Sequence, residues 1–186
     1  MSERPQRSHV VSTLGKYHLQ VTARDAADVV RSAGGWLVDR SMAGWCVTVV
    51  LTDDCDTAPL RILGVNSRVE QPDDDTAAPL RSLSLAASAQ ALSDDEHLRA
   101  EVLRVVRRGL GEVTVWGDDL AEPIPGVESV HHVLSAAARA FKARALLAIG
   151  IAESVDPVEV FRGRTTSLLA GYSDLTPSVA RSLAQR

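Results

Sequence analysis

Lysine is nearly missing from this chain. It occurs only at Lys16 and Lys142, so arginine supplies almost all of the 20 positive charges. That bias is typical of coding in a GC-rich, actinobacterial-like genome. Aromatic residues make up 4% of the sequence, too few for a platform on which nucleic-acid bases stack. The formal net charge of −4 gives no general attraction to nucleic acid or to anionic membranes. Cys46 and Cys55 stand nine positions apart and form no CxxC pair, which excludes a zinc knuckle or a thioredoxin motif. No apolar run approaches the roughly 20 residues that span a bilayer, and Met1 to His9 lacks the apolar core of a signal peptide. A cytoplasmic protein with reduced thiols is expected. GxGxxG and GxxxxGK[ST] are absent, so there is no standard dinucleotide fingerprint or P-loop.

What is present is an ordinary globular composition: 186 residues, 45% hydrophobic and 24% charged. It predicts one domain over residues 13–186 behind a loose tail at 1–12. The chain is organised around the stretch from Ala23 to Val65. A helix starting near Arg24-Asp25 carries Ala26, Val29, Val30, Ala33 and Leu37 along one stripe. Gly34 and Gly35 would weaken it in isolation, which points to close packing. Gly44 ends it, and Trp45 to Leu51 reads as a strand covered on both faces. Leu60 to Val65 reads as a second strand, close enough behind for a hairpin.

Elsewhere, Tyr17 to Thr22 alternates as a half-buried strand. Leu80 to Leu92 reads as a helix, and Ser93 to Glu96 fits a capping box that starts another, ended by Gly109. Glu112 to Trp116 reads as a strand, Val127 to Arg144 as an alanine-rich helix and Ala145 to Ile151 as a strand. Helices are expected at Val158 to Ala170 and Ser178 to Gln185. This alternation predicts an α/β three-layer sandwich with a mostly parallel sheet, 17–22 or 60–65 forming an antiparallel edge.

Three acidic loops follow the expected strands: Asp53, Asp54 and Asp56; Asp118, Asp119 and Glu122; Glu153 and Asp156. Parallel strands would deliver all three to one carboxyl edge, where open α/β sheets bind ligands. Asp54, Asp56, Asp118 and Asp119 are the candidate ligands for a hard cation such as Mg²⁺, which would relieve their repulsion and orient a phosphate. The commoner use of such residues is to form turns and cap helices.

Two motifs here resemble the haloacid dehalogenase-like phosphatases. Val47 to Asp56 is similar to their strand ending in DxD, and Val113 to Asp119 to their GDD metal motif. The resemblance implies Asp54 as nucleophile, Asp56 as acid/base, and Asp118 and Asp119 on magnesium. Thr57 comes one place too early for DxDxT, and no lysine precedes the GDD strand. Receiver domains also gather acidic residues at strand ends, but Lys142 precedes the strand it should follow. Neither resemblance is adopted.

Other candidates are weaker. His131 and His132 point about 100° apart on a helix and share a metal poorly. Cys55 lies among aspartates that disfavour its thiolate. No serine lies in a GxSxG elbow. Trp36 and Trp45 border the core stripe and the turn at Gly44, and a partly exposed pair there would anchor a partner. The sequence therefore predicts a non-catalytic regulatory or partner-binding module, acting through a protein partner or self-association and needing no cofactor. A Mg²⁺-dependent phosphate-handling enzyme built on the acidic loops is the alternative.

Overall fold

The computed structural model describes residues 17–69, 84–117, 120, 122–164 and 174–178. The tail at 1–12 lies outside them, as does all but Ser178 of the helix expected at 178–185. β1 (His18–Ala23), α1 (Ala26–Met42) and β2 (Cys46–Leu51) form the opening unit, with β1 and β2 parallel from His18↔Cys46 to Ala23↔Leu51. Asp25 caps α1 by accepting the Asp28 amide at 2.8 Å. Gly44, at φ 91°, lets the chain turn directly into β2.

The chain then departs from the expected hairpin. Thr57 and Pro59 start a short helix α2 (Ala58–Ile62), and β3 (Asn66–Val69) returns parallel to β2. Proline near a helix start costs nothing, because the amide it lacks has no intrahelical partner there. Leu60 to Ile62 is thus helical rather than extended.

β4 (Ser84–Ser88) is parallel to β1, and β5 (Glu112–Trp116) is parallel to β4. Between them run α3 (Ala89–Asp94) and α4 (Glu96–Arg108). Of the helix expected at 80–92, Ser84 to Ser88 is a strand, Ala89 to Leu92 belongs to α3, and 80–83 lies outside the described residues. Every residue of β4 is buried, and ladders on both sides outweigh the helical preference of Leu85, Ala86 and Ala87. Asp95, not Ser93, caps α4, accepting the amides of His97 and Leu98.

The remainder is antiparallel. β6 (Glu128–Val133), α5 (Ala136–Ala148), β7 (Val158–Arg164) and the two-residue β8 (Thr176–Pro177) complete the set. The sheet has eight strands in the order β3-β2-β1-β4-β5-β7-β6-β8. β7 runs antiparallel to β5 and β6, and β8 antiparallel to β6. The sheet is mixed rather than mostly parallel. Ala145 to Ala148 belongs to α5, and Val158 to Arg164 is a strand whose residues alternate exposed and buried.

Helices α1, α2 and α5 pack together over one face, around a core containing Val29, Leu37, Trp36, Leu60 and Phe161. Val102, Val105 and Val106 of α4 meet Leu85, Val113 and Val115 in a second cluster. A methyl group at Gly35 would lie 2.5 Å from Leu134 Cδ2, so that glycine is a requirement of the packing. Two buried ion pairs cross this core. Lys142 Nζ lies 2.6 Å from Glu159 Oε1, and Glu159 also accepts the amides of Gly35 and Trp36. Arg40, 1% exposed, meets Glu112 at 2.9 Å and also pairs with Asp174. Among the described residues no helix is long and apolar enough to cross a membrane.

Candidate active site at the carboxyl edge of the sheet

The strand order reverses between β1 and β4. β1 leads through α1 to β2 on one side, while β4 leads through α3 and α4 to β5 on the other. Chains leaving these two strands diverge to opposite sides, and the crevice they leave at the carboxyl edge is the usual ligand position in open α/β sheets.

Arg24, the first residue beyond β1, is exposed there and bonds through Nε to Asp53 Oδ2 at 2.9 Å. That bond, followed by the charges of Asp53, Asp94 and Asp25, raises its pKa and keeps it cationic. Asp53 comes from the end of β2, Asp94 from the end of α3 and Asp25 from the cap of α1. Three elements thus place charge around one guanidinium. Asp28, in the first turn of α1, accepts the Trp116 indole N–H at 3.1 Å and the Ser32 hydroxyl at 3.2 Å. A carboxylate there also complements the positive end of the helix. The bond ties the end of β5 to the start of α1.

Beside this edge, β5 and β7 separate. Their pairing ends at Val115↔Arg162, although β7 continues back to Val158 beside β6. A cavity of about 390 Å³ opens at the separation, next to Trp116 and Gly117.

Of the four residues expected to hold a cation, Asp54 and Asp56 lie among the described residues. Asp54 is exposed, and Asp56 forms a turn, accepting the Ala58 amide at 2.8 Å. Asp118 and Asp119 lie outside the described residues. Glu153 and Asp156 follow helix α5 and so do not belong to a strand-end loop. Among the described residues, no three His, Cys, Asp or Glu side chains are grouped as a metal site. At the end of β1 the donor set does not suit a metal, because the Arg24 cation already holds the Asp53 carboxylate.

The tryptophan pair is a correction. Trp36 is fully buried at 0% exposure and Trp45 is 9% exposed, so neither offers a surface anchor. Both flank the Arg40 guanidinium, which lies 4.9 Å from the Trp36 ring centroid and 4.1 Å from that of Trp45. Burying Arg40 requires partners, and the two indole faces and two carboxylates supply them. His131 and His132 lie on β6, not on a helix. His132 faces Asp39 at 2.9 Å and the Asp174 carbonyl at 3.1 Å.

Arg24, Asp28 and Trp116 are the site residues that the sequence reading missed. Arg24-Asp25 is visible as a helix start, but its position at a switch point depends on β4 being a strand.

No protein-family model and no curated sequence matches the chain. Solved structures do resemble it. A teicoplanin-pathway deacetylase triple mutant, Orf2*T, has a TM-score of 0.55 at 14% identity, covering 81% of this chain and 99% of that one. The same enzyme type in complex with teicoplanin also has a TM-score of 0.55, at 12% identity and the same coverage. The zinc-inhibited form of teicoplanin deacetylase Orf2 has a TM-score of 0.53 at 15% identity, covering 70% and 82%. At such identities the likeness is one of fold. These neighbours are hydrolytic enzymes, which overturns the expectation of a non-catalytic binding module. They are deacetylases, which overturns the phosphate-handling alternative as well.

Proposed function

We propose that this chain is an amide hydrolase of the deacylase type, taking an N-acylated substrate at the carboxyl edge between β1 and β4. The observation that carries this reading is its fold-level likeness to the deacetylase structures across 99% of their length. The parallel half of the sheet, with helices over both faces, is read as the three-layer scaffold that presents this edge.

Amide hydrolysis needs a donor for the charge that develops on the carbonyl oxygen and a base for the attacking water. Arg24 supplies the donor. Its Nε is fixed by Asp53, so its remaining N–H groups are held near one orientation. Asp25 supplies the base. One of its oxygens caps α1 through the Asp28 amide, which leaves the other for water. Water adds to the acyl carbon as Asp25 takes its proton. The C–N bond then breaks, and the proton passes to the departing amine nitrogen. The Trp116–Asp28 bond positions the turn that carries Asp25. No metal enters this scheme, because the donor set at β1 does not fit one.

A substrate panel tests the reading. N-acetylglucosamine, an N-acetylated amino acid and an N-acylated glycopeptide are incubated with the protein, and free amine is measured by mass spectrometry. Amine formation that depends on Arg24 supports it. No amine from any of the three rejects it.

A further inference from the structure

The cavity beside β5 has features that amide hydrolysis at Arg24 does not use. Its volume, about 390 Å³, lies within the range of small-ligand sites. Val115, Val127 and Val160 give it apolar walls, and Glu128, Ser129 and Arg162 give it polar ones. Val160 is 63% exposed although it sits in the middle of a strand.

Among the described residues, the strand edges around it are also open. Beyond Val115↔Arg162, neither Trp116 at the end of β5 and Gly117 after it, nor Val160 and Phe161 on β7, has a ladder partner across the gap among the described residues. Outside the strand ladders, no backbone bond among the described residues engages these four. Main-chain N–H and C=O groups lining a cavity call for partners of their own kind. An extended peptide supplies them by adding along the edge, while its side chains fill pockets of matching character.

We propose that this cavity binds a short peptide of two or three residues, extended along the open edge of β7. An aliphatic side chain packs against Val127 and Val160. The charged amino terminus finds an opposite charge in the lining, where the ammonium meets Glu128. The carboxyl-edge hydrolase reading is not a premise of this proposal.

Isothermal titration with the dipeptide Val-Val tests it, with free valine, hexanoate and N-methylated Val-Val as controls. Saturable binding of Val-Val at least tenfold tighter than any control is expected. Val160→Trp, which fills the cavity from an exposed position, should weaken it at least tenfold with an unchanged melting temperature. Glu128→Gln should weaken Val-Val more than it weakens N-acetyl-Val-Val, which has no ammonium. Absence of binding at millimolar Val-Val overturns the proposal. So does binding that ignores both substitutions, or equal binding of hexanoate, which would mark a general apolar cleft.

Discussion

The indole N–H of Trp116 and the carboxylate of Asp28 meet at 3.1 Å, joining the last residue of β5 to the first turn of α1. The two lie 88 positions apart in the chain. The bond closes the carboxyl edge on the side away from β2 and steadies the turn that carries Asp25. Trp116→Phe keeps an aromatic ring but removes the donor and part of the buried indole volume. It should cost at least about 1.5–3 kcal/mol in urea unfolding, the range for a hydrogen bond to a charged acceptor, and it should lower amide hydrolysis as well. An unchanged unfolding midpoint would show that the bond contributes nothing.

Gly34 and Gly35 should respond to alanine with opposite signs. A methyl at Gly34 meets Leu63 Cδ1 at 3.4 Å, an ordinary contact, whereas at Gly35 it meets Leu134 Cδ2 at 2.5 Å. Gly34→Ala should stabilise by up to about 1 kcal/mol through helix propensity. Gly35→Ala should destabilise by about 1–3 kcal/mol through overpacking. Denaturant midpoints of the two variants, measured together, decide the matter.

Arg40 and Glu112 form an ion pair whose side chains are each 1% exposed. Glu112→Leu leaves Arg40 with only the Asp174 carboxylate, and breaking a buried pair in this way costs about 3–5 kcal/mol. Replacing Arg40 by Met as well should recover much of that loss, since an apolar pair of similar volume carries no desolvation penalty. A double-mutant cycle that is merely additive would contradict this account.

Asp39 connects pH to stability. Burial raises its pKa, but hydrogen bonds from Ser135 and His132 outweigh burial and hold it below the ordinary 3.8. The unfolded chain therefore takes up this proton more readily than the folded one. The contribution is complete above the unfolded value and is lost as pH falls through the folded one. Asp39→Asn should flatten the acid limb of the stability profile and leave its neutral slope unchanged. Urea midpoints collected from about pH 2 to 6 would show it. An acid limb as steep as the parent's would rule Asp39 out.

β1, α1, β2 and β5 of the parallel half are legible in the sequence, whereas β3, β4 and the antiparallel half are not. The run from Cys46 to Leu51 and the stripe of α1 carry strong periods that nothing in the tertiary structure opposes. From Val127 onward, alanine content suggests one helix, yet Glu128 to Val133 pairs with β7 and α5 begins only after Ser135. Ser135 is the cap, accepting the Ala138 amide, and was the local signal for that boundary. Ala145 to Ala148 reads as a strand because it is apolar, but it extends α5. The site was hidden for a related reason. Arg24 and Asp25 look like an ordinary helix start until β4 is placed beside β1, and Leu85, Ala86 and Ala87 favour a helix until the sheet pairs them on both sides.

The most direct test is the rate of acetate release from an N-acetylated substrate by the parent protein and by Arg24→Ala. Loss of an oxyanion donor costs about 10²–10³ in rate in well-studied hydrolases. Arg24 is exposed at the end of β1, so the variant should keep its melting temperature. The account predicts measurable release by the parent and a loss of about that size in the variant, with folding intact. Equal rates in the two proteins, or no release by the parent, would contradict it.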